Sequence, residues 1–313
     1  MNGAHKLHEW QWIELADLGA LRVSGPDAVR FLQGQLSNDL TLLGPERSLR
    51  AGYHSPDGRT IALLRVVQLA PQDLLAITPR ELAGTVAARL AKFILRAKVI
   101  VTDESASWKL RGLISPGTAA DSPAFPQAID AQTRYDESST LVRIAGEPPR
   151  WLLLSPGDQA PAQDSALLPG RGAGGRDVWR LLDIAAGLPE VYAATSGAFV
   201  AQMLNLDVLG AIAFEKGCYT GQEVIARAHY RGRVKRRMQR FASRAPVQLS
   251  PGDTRQLADG RKLTVIEAAP LAEGRCEFLA VAPLAVQSET DQPGEGAEPL
   301  EADVLELPYS LPE

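Results

Sequence analysis

Apolar residues in this chain of 313 come in short runs, broken repeatedly by glycine, proline and aspartate. No window approaches the roughly 18 uninterrupted apolar residues that a membrane-spanning helix needs. The pattern therefore predicts a globular chain whose core is shared among several small elements, with no membrane partner. At this length two or three packed domains are expected. The composition is the ordinary one of a soluble protein, 45% apolar and 22% charged. Residues 1–10 carry Glu9 and two histidines and lack the apolar stretch of a secretory signal. The expected location is the cytoplasm.

Periodicity places the elements. Leu21-Arg22-Val23 reads as a strand ending at Ser24-Gly25-Pro26-Asp27. Ser24 is placed to cap a helix on which Ala28, Val29, Phe31, Leu32 and Leu36 recur at helical intervals. Tyr53-His54-Ser55, the turn Pro56-Asp57-Gly58 and the apolar run 61–69 form a hairpin by their turn chemistry. Residues 79–95 have a helical period, and 98–102 return to a strand. Strand-like pieces at 140–144 and 151–154 lie between two loose stretches, 115–127 and 155–176. Past Phe241 the strands are short, as at 263–266 and 276–281, and predict a small terminal β-domain. Gly170-Arg171-Gly172-Ala173-Gly174-Gly175 satisfies G-x-G-x-x-G to the letter. No strand precedes it and no βαβ unit surrounds it, so it reads as a loop and not as a dinucleotide site.

The two cysteines, Cys218 and Cys276, form neither a CxxC pair nor a metal-binding set. Of the four histidines, His5 and His8 lie near a terminus, and His54 and His229 stand alone in sequence. No resident metal centre is expected. The net charge of −4 conceals a run of seven cations without an acid, Arg227, Arg231, Arg233, Lys235, Arg236, Arg237 and Arg240. Such a run suits an anionic partner; it also suits a solvated strand with long cationic side chains.

The most informative stretch is 195–237. Within it Thr220-Gly221-Gln222-Glu223 has the form of a capping box, and Val224-Ile225-Ala226 opens a helix. Cys218 would then face unpaired backbone N–H groups, with Lys216 beside it, and both effects favour a thiolate. The residues leave two readings open: a reactive thiol at a ligand-lined turn, or a small buried apolar residue ahead of a helix.

Lys216-Gly217-Cys218-Tyr219-Thr220-Gly221-Gln222-Glu223 resembles the K-G-C-Y-x-G-Q-E signature of YgfZ-type proteins, within the glycine-cleavage T-protein superfamily. Thr195-Ser196, Gln202-Met203-Leu204-Asn205-Leu206-Asp207, Tyr230-Arg231-Gly232 and Val234-Lys235-Arg236-Arg237 are similar to its flanking blocks. Phe31-Leu32-Gln33-Gly34-Gln35-Leu36-Ser37-Asn38-Asp39 looks like the early helix of the superfamily, and Leu307-Pro308-Tyr309-Ser310-Leu311 like its ending.

The resemblance implies an α+β, three-domain T-protein-like fold around a central folate pocket, with a C-terminal β-barrel. The corresponding divisions are 1–110, 111–237 and 238–313. It implies a tetrahydrofolate-binding factor that supports iron–sulfur protein assembly or repair and tRNA modification, an accessory factor and not an aminomethyltransferase. Iron–sulfur enzymes or their assembly proteins would be its partners, with direct tRNA contact as a further option. Cys218 with Lys216 would carry the chemistry. Trp179, Asp183, Asn205, Tyr219, Gln222, Glu223 and Arg227 would face the folate, with the Trp179 indole stacked on a flat ring.

Three positions depart from the family: Leu18 replaces a second folate-associated tryptophan, Ala185 a pterin-anchoring glutamate, and Ala201 a proline. One alternative is a one-carbon transferase, which resembles its relatives in placing an aspartate soon after the early hairpin. Gly58-Arg59-Thr60-Ile61-Ala62-Leu63-Leu64 holds no carboxylate, which argues against aminomethyl transfer. The other is an RNA-binding module, whose basic run contains Tyr230 as its single aromatic and so no evident stacking platform.

Overall fold

A computed structural model describes residues 10–116, 125–157, 172–173, 175–232, 234–284 and 299–312. In chain order the first elements are β1 (Gln11–Glu14), β2 (Leu18–Ser24), α1 (Ala28–Gln33), β3 (Leu49–His54), β4 (Thr60–Ala70), β5 (Asp73–Pro79) and α2 (Arg80–Ala91). Then come β6 (Ile100–Asp103), β7 (Trp108–Ile114), β8 (Gln132–Arg134), β9 (Thr140–Ile144), β10 (Arg150–Pro156) and β11 (Gly172–Ala173). Helices α3 (Arg176–Ala185) and α4 (Gln222–Tyr230) precede β12 (Arg236–Ser243), β13 (Thr254–Gln256), β14 (Lys262–Pro270), β15 (Cys276–Pro283) and β16 (Ala302–Leu305).

The strands make three sheets, in the orders β11-β1-β7-β10-β9-β8, β3-β4-β5-β2-β6 and β13-β14-β15-β12-β16. Among the described residues β11 runs parallel to β1, whereas pairs such as β1–β7, β7–β10 and β12–β15 are antiparallel. The chain divides into two compact units, Met1–Gln33, Leu40–Arg50 and Leu64–Trp179 in one, Gly34–Asp39, Ala51–Leu63 and Arg180–Glu313 in the other. The division runs through β3, β4 and α3.

In the first unit the β1-containing sheet buries an aromatic cluster in which Trp10, Phe125 and Trp151 meet at centroid distances of 4.9–5.6 Å. Helix α2 places Leu82, Ala83, Val86, Ala87 and Leu90 in the core at helical spacing. It ends at Ala91, short of the expected 95, because its buried stripe stops at Leu90 and Phe93 and Leu95 stand exposed. Ser24 does not cap α1. It is the last residue of β2, paired with Asp73 on one side and Ile100 on the other. Helix α1 stops at Gln33, so the expected extension through Leu36 is not helical; Leu36 instead bridges Tyr53.

In the second unit the last five strands pack Phe241 on Phe278, stacked at 5.3 Å, among Leu257, Leu263, Val265 and Leu300. The expected closed barrel is not what they form. The edges of this sheet meet at a single parallel bridge, Leu257 with Leu300, and no ladder closes it among the described residues. The glycine-rich stretch splits as well: Gly172–Ala173 form β11, Gly175 precedes α3, and Gly170, Arg171 and Gly174 lie outside the described residues. His5, His8 and Arg233 also lie outside them. No helix among the described residues is long and apolar enough to cross a membrane.

Candidate functional site

The second unit assembles the turn that carries Cys218. Segment Gly34–Asp39 lies along residues 210–216: Ser37 Oγ donates to Ala211 O at 2.7 Å, Ala213 N to Ser37 O at 2.9 Å, and Asn38 Nδ2 to Gly210 O at 2.9 Å. Lys216 Nζ donates to Leu36 O and Asn38 O, both at 2.6 Å. The ammonium also lies 5.2 Å from the centroid of the Tyr219 ring. Burial lowers the Lys216 pKa to about 8, against the opposing pull of Asp39. An amine in that range exchanges protons near neutral pH.

Tyr219 is 7% exposed, and burial pushes its phenol up to about 12. Its ring lies 6.4 Å from that of His54, which is 1% exposed and has no hydrogen-bond partner on either nitrogen among the described residues. Burial lowers the His54 pKa to about 3, so the imidazole is neutral behind the turn. Lys216 and Tyr219 are thus anchored inward, and Cys218 between them is exposed. Cys218 is therefore not the small buried residue of the second alternative.

Its local cause differs from the expected capping box. The N-cap of α4 is Gly221, not Thr220, and no side chain among the described residues caps the helix. Gly221 has φ +82, and a Cβ there would lie 2.5 Å from Ser55 O. The hairpin turn presses on the cap, and glycine is what permits both the backbone and the approach. Gln222 Nε2 reaches Lys216 O at 3.5 Å, while Glu223 and Arg227 form an exposed i,i+4 pair at 2.7 Å.

The remaining carried-over residues are placed differently. Asn205 is fully buried with φ 57; its Nδ2 donates to Met238 O at 2.9 Å and to Tyr309 Oη at 3.3 Å. Beside it Arg237 forms a buried two-pronged pair with Asp207, at 3.0 and 2.8 Å. In the first unit Trp179 is 4% exposed; the Arg150 guanidinium lies 4.6 Å from its ring centroid and donates to its carbonyl at 3.2 Å. Its indole also packs on Gly112, where a Cβ would come within 2.4 Å of the ring. Asp183 is half-buried on α3, and Leu18 is half-buried at the start of β2.

The cationic run is not one patch. Crossing from α4 into β12, its members alternate between outside and inside: Arg227 meets Glu223, Arg237 meets Asp207 and Arg240 meets Glu277. Arg236 lies against the carbonyls of Lys262 and Val281. Arg231 and Lys235 remain exposed. Sequence reasoning also missed two groups. His54 gave no signal of its burial, and Phe214, which stacks on His229 at 3.7 Å, lies too far from it in sequence for pairing to be foreseen. Among the described residues no group of three or more His, Cys, Asp or Glu side chains could hold a metal ion.

This turn, with its Lys-Gly-Cys-Tyr-Thr-Gly-Gln-Glu sequence, sits in a chain with recognisable relatives. It is 32% identical over 267 residues to the tRNA-modifying protein YgfZ of Klebsiella pneumoniae, covering 83% of this chain and 81% of that protein. The proteins of the same name from Pectobacterium carotovorum (31% over 279 residues, 86% and 82% covered) and Colwellia psychrerythraea (31% over 234, 74% and 71%) agree. The chain belongs to the YgfZ family.

No family model matches it. Among solved structures, the glycine cleavage system aminomethyltransferase T of Bartonella henselae superposes with a TM-score of 0.71 at 15% identity, covering 90% of this chain and 80% of that one. The α+β fold of this YgfZ-family chain is therefore that of aminomethyltransferase T. A folate carried over from the family would meet Trp179 as a covered ring, with Arg150 above it and Gly112 packed against it. As the ring stands it is 4% exposed, with the Arg150 guanidinium over it. Asp183, half-buried and carboxylate-bearing, is compatible in kind with a pteridine's N–H groups.

Proposed function

We propose that this chain is a tetrahydrofolate-binding accessory factor that supports the assembly or repair of iron–sulfur proteins, those that modify tRNA among them, in the cytoplasm. The observation that carries the reading is the exposed Cys218 thiol between the inward-anchored Lys216 and Tyr219. Membership of a family whose relatives are named tRNA-modifying proteins supports the tRNA connection.

In this reading Cys218 is the group that meets the client protein, whose cluster is substrate and not a resident cofactor. Lys216 and Gly221 are positioning residues that hold the turn, and Gln222 ties the helix start back to it. Folate is proposed on the family resemblance and on the fold shared with aminomethyltransferase T. Asp183 and the outward-facing Glu223 and Arg227 supply polar contacts, while Trp179 holds α3 and does not stack. The division into 1–110, 111–237 and 238–313 is proposed with it. Aminomethyl transfer stays behind this reading, because residues 58–64 lack the carboxylate that a leaving amine needs.

The test is complementation of a deletion strain, read as the activity of an iron–sulfur tRNA-modifying enzyme. Cys218→Ala is expected to lose complementation while melting like the parent. Full complementation by that variant sinks the reading. For folate, a calorimetric titration with tetrahydrofolate is expected to show binding that Asp183→Asn weakens; no heat with the parent chain would remove folate from the proposal.

A further inference from the structure

Helix α4 turns Ile225 into the core and leaves Arg227, His229, Tyr230 and the following Arg231 exposed. Phe214, from the loop before the Cys218 turn, stacks on His229 with ring centroids 3.7 Å apart and planes at 17°. Tyr230 meets both rings edge-on, 6.0 Å from Phe214 and 4.8 Å from His229, and is 66% exposed. Three rings gathered outside the core are not explained by packing. Two exposed cations follow in the chain, Arg231 at the C-cap of α4 and Lys235 shortly after it, neither with an acidic partner among the described residues. Arg227 is paired with Glu223, but side chains 70% and 85% exposed hold each other weakly and exchange readily.

Rings stacked at a surface beside unneutralised cations are what unpaired nucleotides bind: bases stack on the rings, and phosphates meet the cations. We propose that Phe214, His229, Tyr230, Arg231 and Lys235 form a docking face for an unpaired loop of RNA beside the Cys218 turn. The proposal rests on the reading that the chain serves tRNA modification and names the contact through which it would do so. Arg237, attractive in the sequence as a phosphate contact, takes no part because it is buried against Asp207.

Fluorescence anisotropy of the full chain tests it, with an unmodified tRNA transcript, a stem-loop with an unpaired loop, and a fully paired duplex. The transcript and stem-loop should bind, and the duplex at least about tenfold more weakly. Phe214→Ala and Tyr230→Ala should each weaken the stem-loop about tenfold. Replacing Arg231 and Lys235 together by Ala should flatten the log–log salt dependence by about 1.4, as two lost phosphate contacts to a single strand require. Arg244→Ala, whose exposed pair with Asp303 lies in the terminal sheet, should change nothing.

Absence of binding at low salt overturns the proposal, as do natively melting ring variants that bind like the parent. So does loss of complementation by Tyr230→Ala when no RNA is bound, which would assign the face to a protein. Cys218→Ala separates the two readings. It should keep RNA affinity while losing complementation, so each can fail without the other.

Discussion

Trp179 and Cys218 enter with the same credential, a match to residues of functional repute in related proteins, and the fold treats them in opposite ways. The indole lies under Arg150 and against Gly112 in the first unit, 4% exposed. The thiol stands out from a turn in the second unit whose neighbours on both sides, Lys216 and Tyr219, are anchored inward. A match in sequence carries residue identity across; it does not carry exposure. The surroundings of each group then decide whether its replacement first damages the fold or first damages the function.

That contrast can be broken by measurement, beginning where the effect is largest. Trp179→Ala should cost about 3–5 kcal/mol of stability in urea unfolding, the usual loss for a packed tryptophan. A loss under about 1 kcal/mol would mean that the ring is an open wall after all. Gly221→Ala comes next, at about 1–3 kcal/mol, since a side chain at φ +82 and 2.5 Å from Ser55 O must distort the cap. It should also change the rate at which Cys218 reacts with a thiol reagent; an unaltered rate would separate the cap from the turn.

His54 supplies a pH-dependent comparison. Its folded pKa, about 3, lies below its ordinary value, so the unfolded chain binds a proton that the folded chain refuses between roughly pH 6.5 and 3. Its contribution is complete above that window and is lost as the pH falls through it. His54→Phe should flatten the fall in melting temperature across the same range, and an unchanged slope would place acid sensitivity elsewhere. Smallest in stability is Cys218→Ala, within about 0.5 kcal/mol of the parent because the thiol is exposed. Its effect on complementation should be the largest of the four. A shift of several degrees in melting would tie the sulfur into the core.

Much of the architecture was legible from local pattern. The strand at 140–144, the hairpin around Pro56-Asp57-Gly58 and the helix beginning near Pro79 depend on period and turn chemistry close at hand. What escaped was set by partners remote in sequence. Gly221 caps α4 because Ser55 crosses over it, and Phe214 meets His229 because the turn folds back. Arg237 leaves the surface because Asp207 receives it, and nothing in a run of cations announces which of them has such a partner. The family signature pointed to the Cys218 turn without revealing which of its side chains face solvent. That depended on the carbonyls of Leu36 and Asn38, which draw Lys216 inward.

Tyr309 has a consequence for how the molecule is made. Its hydroxyl donates to Gly187 O at 2.7 Å and accepts from Asn205, so two positions synthesised early wait for one synthesised late. On the ribosome Asn205 and the loop after α3 are left incomplete until that tyrosine has emerged. Clipping the polypeptide just before residue 309 would return the second unit to this unfinished condition, with its sheets already built and their latch missing.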